Sequence, residues 1–427
     1  MRISRYLIHE RIGSEIVLLS TLWGSVVKID ARLESALREL LMDVESEDRV
    51  NVKDSIKRDI LQIMQENKMV VDDLEEEYKI AYTAYLDFIN RWLVFKIFTT
   101  TDCNFSCIYC YQNRNKKYMS QHVVTKIIQL IKKEAEKANE LEGVYLTFFG
   151  GEPLLNKPVI RVILENIRTL KNVKIRVLIV TNGSLLDSTF VKYVSDNCDK
   201  LAIQLTIDGG KRRHNRYRPF SNGAPSYEII MKNLESLDKL SLRNVYLIYR
   251  VNVDRTFSNN DILNLYKPLN LSCKISCVGI FDNPENPSNY NLNNERTACK
   301  CLQAAKDAGY EIIDFLINPL FSCSVGLKNT YTISPDGFLT ICTGVDPKDE
   351  NFYGYMSDDG SIVITNKNIH SKLFSEEYEF FNIQECRRCS LLPICFGGCA
   401  YSRKIRRNIP SCPAFKRYLR ENIKLLI

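Results

Sequence analysis

The sequence predicts an α/β fold with a small α+β region before it and a cysteine-rich region after it. Three observations carry this. Between Trp92 and Phe281, apolar runs of strand length alternate with stretches of helical periodicity. Polar and glycine-containing signals recur at the C-terminal ends of those runs. And 15 cysteines, most of them in two spaced groups, stand in a chain without a secretory signal.

The first 90 residues contain no cysteine. Met1–Glu10 and Ser14–Ile29 read as a strand hairpin turning near Gly13. Ala31–Leu41 and Val52–Gln65 have helical periodicity, Val70–Val71 reads as a short strand, and Asp72–Glu77 as an acidic exit. Strands are then expected near Leu93–Thr100, Val144–Phe149, Val173–Val180, Lys200–Ile207, Asn244–Val251 and Lys274–Ile280. Helices are expected between them, near Ser120–Glu140, Lys157–Leu170, Asp187–Asn197, Tyr227–Leu240 and Asn259–Leu265. Six such strand–helix steps imply a parallel sheet. Residues 282–300, rich in Asn and Pro, read as a loop linker, and Ala298–Gly309 as a short helix.

At 427 residues the chain is long enough for two or three domains. Its 45% hydrophobic and 26% charged content is ordinary for a globular protein. The net charge of +7 is mild and its Lys and Arg are scattered, which argues against nucleic acid as a partner; the Arg403–Arg407 run reads as a solvated face. Met1–Tyr6 has no apolar signal region, and no stretch approaches 18 consecutive apolar residues. A cytoplasmic location without membrane contact is therefore expected. Thiols stay reduced there, so clustered cysteines read as metal ligands rather than disulfides.

The first cysteine group is Cys103, Cys107 and Cys110, at spacing C-x3-C-x2-C directly after the first strand. A cubane iron–sulfur cluster has four irons, so three ligands leave one iron open. Zinc is the plainer reading, but zinc motifs usually come as two C-x2-C pairs, and no second pair lies close by. Other signals follow the later strands in step: Gly150-Gly151-Glu152-Pro153, Thr181-Asn182-Gly183, Thr206-Ile207-Asp208-Gly209 and Arg250-Val251-Asn252. Each alone is explicable as turn chemistry. Five at strand C-terminal ends mark the end where parallel strand–helix folds build their sites.

The thiol loop with these segments resembles the radical SAM superfamily. The resemblance implies a partial (β/α)6 TIM-type barrel over residues 91–281. It also implies a [4Fe–4S] cluster on Cys103, Cys107 and Cys110 that reduces S-adenosylmethionine (SAM) to a 5′-deoxyadenosyl radical. By the same resemblance Gly150, Gly151 and Glu152 contact the methionyl amino group, Tyr109 packs near adenine, and Thr206 and Arg218 hold SAM, Arg218 through its carboxylate. Asn182 and Asn252 are further candidates, with Gln204 and Arg250 behind them, since a polar strand end needs no ligand to explain it. No catalytic acid or base stands out.

The second group comprises Cys323 and Cys342, the run Cys386-x2-Cys389-x5-Cys395-x3-Cys399, and Cys412. Tyr331–Phe338 reads as a hairpin turning at Asp336-Gly337, which would bring Cys342 back toward Cys323. A zinc ribbon would need only four of these thiols. The seven-cysteine pattern resembles the SPASM domain, here residues 311–427 after a bridging region at 282–310. The resemblance implies two auxiliary [4Fe–4S] clusters, one on Cys323, Cys342 and Cys399, the other on Cys386, Cys389, Cys395 and Cys412. Fully ligated relatives carry one more Cys shortly before Cys323, where this chain has Ile317 and Asn318. Cys299 or Cys301 supplies that ligand, or an iron stays open. Cys198, Cys273 and Cys277 read as ordinary buried thiols.

Radical SAM/SPASM proteins mostly modify ribosomally made peptides. The resemblance therefore implies a peptide maturase that installs a thioether, carbon–carbon or carbon–oxygen crosslink or an oxidation. Its expected partners are a precursor peptide or protein and a flavodoxin- or ferredoxin-type electron donor. Residues 1–90 read either as a leader-binding domain, taking a peptide strand onto a sheet edge, or as a structural cap. An anaerobic sulfatase maturase, converting Cys or Ser to formylglycine, is the alternative. Those enzymes carry an Asp directly after the second SPASM cysteine, and here Thr343 follows Cys342. A non-enzymatic metal-binding or electron-transfer protein is the alternative of another class.

Overall fold

A computed structural model of the chain describes residues 1–46, 54–112, 115–138, 140–240, 242–280, 292–313, 323, 325–377, 379–407 and 411–427. The chain divides into two compact units, each discontinuous in sequence: residues 1–87 with 313–323 and 375–427, and residues 88–312 with 324–374.

In the first unit, β1 (Arg2–Ile3) pairs with the later β5 (Val70–Val71). The antiparallel sheet is β2 (Leu7–Ile12), β3 (Glu15–Ser20) and β4 (Val26–Asp30), with β3 in the middle. The expected single strand over Ser14–Ile29 is thus two, because the chain reverses after Ser20, where Gly24 at φ +70° donates its N–H to the Ser20 carbonyl. Both faces of β3 are covered. Ile16 and Leu18 pack with α1 (Glu34–Ser46) and α2 (Ser55–Glu66), through Leu37, Leu40, Ile60 and Met64. Val17 and Leu19 pack with Leu391, Ile394 and Ile423 from the far end of the chain. The acidic stretch at 72–77 is not merely an exit. It opens α3 (Leu74–Arg91), whose first turn carries Glu75, Glu76 and Glu77, the charge that a helix N-terminus favours.

The six strands expected in the second unit are β6 (Trp92–Thr100), β7 (Gly143–Gly150), β8 (Lys174–Thr181), β9 (Lys200–Thr206), β10 (Val245–Val253) and β11 (Ser272–Gly279). They pair in parallel, each with its sequence neighbour. β6 is almost wholly buried, as a parallel strand covered on both faces should be. The helices among them are α4 (Gln121–Lys137), α5 (Lys157–Ile167), α6 (Ser188–Asp196), α7 (Lys211–Tyr217), α8 (Tyr227–Asp238) and α9 (Asn259–Leu263). α5 carries Pro158 in its first turn and buries Val159, Ile160, Ile163, Leu164 and Ile167, a single apolar stripe. The Asp187 side chain caps α6 through the Phe190 N–H, 2.7 Å away.

α10 (Leu292–Asp307) begins well before the helix expected at Ala298, inside the stretch read as linker; the rest of that linker, 282–291, lies outside the described residues, as do Ile317 and Asn318. β12 (Glu311–Ile312) adds to β11 in parallel. At the other side of the sheet β13 (Thr330–Ile333) pairs in parallel with β6, and β14 (Phe338–Thr340), β15 (Phe352–Met356) and β16 (Ile362–Ile364) continue antiparallel, giving a mixed 11-stranded sheet. The β13–β14 hairpin turns at Asp336-Gly337, with Gly337 at φ +84°. α11 (Lys367–Leu373) closes this unit's sequence.

The C-terminal part of the first unit holds α12 (Gln384–Arg387), α13 (Leu392–Cys395), a π-helical turn at Tyr401–Ile405 and α14 (Leu419–Lys424). Here the reading of Arg403–Arg407 as a solvated face fails at two positions. Arg403 and Lys404 are buried; Arg403 donates to the Gly397 carbonyl at 2.7 Å, and Lys404 pairs with Glu379. Among the described residues no helix is long and apolar enough to cross a membrane.

Candidate active site

Parallel pairing brings the C-terminal ends of β6 to β11 to one edge, and a cavity of about 340 Å³ opens there. Cys103, Cys107 and Cys110 all line it. Their loop is pinned by backbone bonds to the last residue of α7 and the segment after it: Ser106 N to Pro219 O at 2.8 Å, Ile108 N to Tyr217 O at 3.0 Å, and Ser221 N to Asn104 O at 2.9 Å. Phe105 is buried edge-on against Phe220, with ring centroids 4.9 Å apart.

The loop is also pressed onto the end of β7. A Cβ at Gly151 would stand 2.1 Å from the Asp102 carbonyl oxygen, and one at Gly150 as close to that of Thr100. These two glycines line the cavity, but the close approach they permit is to the chain entering the thiol loop.

Seven of the eight residues expected around SAM line the cavity: Tyr109, Gly150, Gly151, Asn182, Thr206, Arg218 and Asn252. Glu152 does not. It is fully buried, and its oxygens accept from the Thr181 hydroxyl (2.7 Å), the Leu154 N–H (3.0 Å) and the Asn182 N–H (2.7 Å). Burial pushes its carboxyl upward, against the pull of those donors. Glu152 therefore braces the ends of β7 and β8 and presents no oxygen to the cavity. Gln204 and Arg250 are both in the lining.

Behind the wall is a polar hub that sequence reading missed. The Tyr109 hydroxyl donates to Asp208 and accepts from Arg218 Nη1 (2.7 Å) and Asn252 Nδ2 (3.0 Å). The other Asp208 oxygen accepts from the Asn252 N–H at 3.0 Å. Burial pushes the Asp208 carboxyl up and the Arg218 charge opposes it. His214 accepts the Asp208 N–H on Nδ1 at 3.3 Å; burial, then Arg218, hold its pKa well below the usual range, so the ring is neutral. Asp208 lies inside the Thr206–Gly209 motif, yet nothing local distinguishes a hub carboxylate from a turn residue. Arg218 keeps one buried donor, Nε, without a partner among the described residues.

Three soft donors on one wall, with a permanently charged guanidinium and several amides facing the same space, suit a thiolate-bound metal group carrying an anionic ligand. Among the described residues no three Cys, His or carboxylate groups gather as a single-ion site.

A second set of thiols lies in the other unit. Cys386, Cys389, Cys395 and Cys412 line one small cavity. Burial pushes the Cys395 thiol up to about 12. Cys399 is pushed up by burial and then by Cys323, which belongs to the same unit, whereas Cys342 belongs to the other. Cys299 and Cys301 sit on α10 near Cys277, whose thiol is raised by burial first and then by those two neighbours. Cys198 and Cys273 are each pushed up to about 12 by burial.

Residues 97–267 match the family model of the radical SAM superfamily. A radical SAM region therefore lies within the second unit of this chain. The radical SAM region thus starts within β6 and ends after α9. A curated relative, the cysteine-type anaerobic sulfatase-maturating enzyme of Clostridium novyi (strain NT), is 22% identical over 362 residues, covering 77% of this chain and 94% of the relative. Among solved structures, histidine-tagged anSMEcpe with bound AdoMet matches with a TM-score of 0.56 at 21% identity, covering 78% of this chain and 92% of that one. Streptococcus suis SuiB bound to the precursor peptide SuiA matches with a TM-score of 0.50 at 15% identity, covering 96% and 98%. At these identities the two structures establish the fold.

Proposed function

We propose that the protein is a radical SAM enzyme and a peptide maturase, which takes a hydrogen atom from a residue of a ribosomally made precursor and leaves a crosslink or an oxidised side chain. The observation that carries the reading is the convergence of the three thiols, Arg218 and the strand-end amides on one cavity, inside the matched family region. In this reading residues 91–281 are a partial (β/α)6 barrel, 282–310 a bridge, and 311–427 a SPASM domain with two auxiliary [4Fe–4S] clusters. A flavodoxin- or ferredoxin-type protein supplies the electron.

Cys103, Cys107 and Cys110 would hold the SAM-binding cluster, with SAM between Tyr109, Gly150, Gly151, Asn182, Thr206, Arg218 and Asn252. When bound, cluster and SAM together supply a 5′-deoxyadenosyl radical. The chain's own residues bind, orient and shield. Arg218 offers a fixed positive charge and a spare N–H to a carboxylate. The Tyr109 hub keeps the thiol loop in register with β9 and β10. Residues 1–90 would take the leader of the precursor, and β2 and β4 are the edges of their three-stranded sheet on which a strand could add.

Formylglycine formation is the second reading, and the comparisons weigh toward it. The sulfatase-maturating relative is matched over nearly its whole length, and anSMEcpe superposes better than SuiB. Two observations favour crosslinking. No Asp, Glu or His is among the described residues lining the cavity, and Thr343 lines it directly after Cys342. Oxidising a substrate thiol or hydroxyl carbon to an aldehyde calls for a base within reach. The SuiB match also spans 96% of the chain, so it takes in most of residues 1–90.

Anaerobically reconstituted protein should contain about twelve irons, falling by about four in a Cys103/Cys107/Cys110→Ala variant that no longer forms 5′-deoxyadenosine from SAM and dithionite. Bound zinc without SAM cleavage would overturn the reading. Offered a sulfatase-motif peptide, the enzyme should leave it unchanged; an aldehyde product would establish the formylglycine reading in place of crosslinking.

A further inference from the structure

The thiol site of the first unit contains a cation that neither the cysteine pattern nor the radical chemistry accounts for. Lys416 Nζ stands 3.7 Å from Cys389 Sγ and 3.7 Å from Cys412 Sγ. Lys416 lines the same small cavity as Cys386, Cys389, Cys395 and Cys412. Among the described residues it has no carboxylate within ion-pair distance, so the two sulfurs are the charge partners of its ammonium.

The placement is built into the backbone. Lys416 ends a short 3₁₀ turn, Ala414–Lys416, and its N–H donates to the Pro413 carbonyl at 3.2 Å. The Cys395–Cys399 turn is seated directly on the chain entering Cys412: a Cβ on Gly398, which has φ +72°, would stand 1.7 Å from the Ser411 carbonyl oxygen. Cys412 and Lys416 are therefore held on the rim of the site while Cys386 is buried beneath.

We propose that Lys416 is a positioning residue for this site, donating N–H···S bonds to Cys389 and Cys412 and raising the reduction potential of the metal group that the four thiolates hold. The inference rests on the auxiliary cluster proposed above. An ammonium is a compact point charge with three donors, enough for two sulfurs at once. One-electron reduction adds a negative charge to the group. A cation against its sulfurs stabilises the reduced form more than the oxidised one, and hydrogen bonds to sulfur act in the same direction. Because Lys416 is exposed, salt screens part of the effect.

The test uses the full chain carrying Cys103/Cys107/Cys110→Ala, so that only the auxiliary sites give signals. Redox titration followed by EPR on K416M should show one auxiliary signal moved to more negative potential. A tenfold lower reduced-to-oxidised ratio at a fixed ambient potential, a shift of about 59 mV for one electron, is the expected size. K416R, which keeps the charge, should stay close to the unsubstituted lysine. An unchanged midpoint in K416M with iron retained overturns the inference. If K416M loses its iron, the parent protein decides: exchangeable protons coupled to the cluster, or a D2O shift of its Fe–S stretching bands, support the N–H···S bonds, and their absence overturns them. A parent holding zinc, with no redox signal at all, sinks the auxiliary-cluster reading itself, an outcome distinct from a silent substitution.

Discussion

At Glu152 both carboxylate oxygens are committed to internal donors, one of them to two. A carboxylate just after two glycines at a strand end invites the reading of a ligand group. Its actual partners are N–H and O–H groups at residues 154, 181 and 182, and the last two become neighbours only when β8 pairs with β7. The roles separate in one measurement. If Glu152 is a brace, Glu152→Gln should lower stability by about 2–3 kcal/mol, because an amide nitrogen would face a donor. SAM affinity should then fall only as far as the site loosens. A variant with an unchanged unfolding midpoint and lost SAM binding would return Glu152 to the cavity. Thr206, Asn182 and Asn252 were legible because polar residues ending apolar runs are conspicuous. Asp208 was not, because its importance lies in three partners distant in sequence.

The six parallel strands β6 to β11 were read from sequence to within about two residues, since a buried parallel strand is a nearly unbroken apolar run. α7 was missed for the opposite reason. Its residues, Lys211–Tyr217, include four basic side chains, and only His214 and Tyr217 are buried, so no apolar stripe announces a helix. What secures α7 is Asp254, just past β10, which accepts from Arg213 at 3.1 Å and Tyr217 at 2.7 Å. Burial pushes the Asp254 carboxyl up, but the Tyr217 and Thr256 hydrogen bonds and the Arg213 charge outweigh it and hold it down at about 2. A carboxyl depressed in the folded state stabilises above its ordinary pKa, and that contribution is lost as pH falls toward the depressed value. Asp254→Asn should therefore lower the unfolding midpoint by a constant amount above about pH 4, and the two proteins should converge as pH approaches 2. Parallel curves throughout that window would mean Asp254 stays uncoupled from α7. The early start of α10 was hidden by composition, since Asn293 and Asn294 look like loop residues.

On the scale of the molecule, the two ends of the chain share one core. Ile8, Val17 and Leu19 pack against Leu391, Ile394 and Ile423. Nothing in either segment alone signals this, because the partners lie at opposite ends of the sequence. Removing residues 1–87 would thus uncover the apolar residues Leu391, Ile394 and Ile423 beside the four-cysteine site as well as take away any leader-binding surface. The expected outcome is a protein that retains less iron than the full chain, measured after identical reconstitution. Full iron retention would show that the C-terminal segment holds its site unaided.

β6 carries the thiol loop, and it is flanked on one side by β7 and on the other by β13, some 230 residues later in the chain. A fragment running from Trp92 to the end of the recognisable family region would end before β13 is made, leaving a nine-residue, almost wholly buried strand with one edge bare. Bare edges of that kind recruit other strands. During synthesis the same edge waits unpaired until the ribosome has passed residue 333, so the interval before β13 emerges is when the nascent chain is most exposed to misassembly.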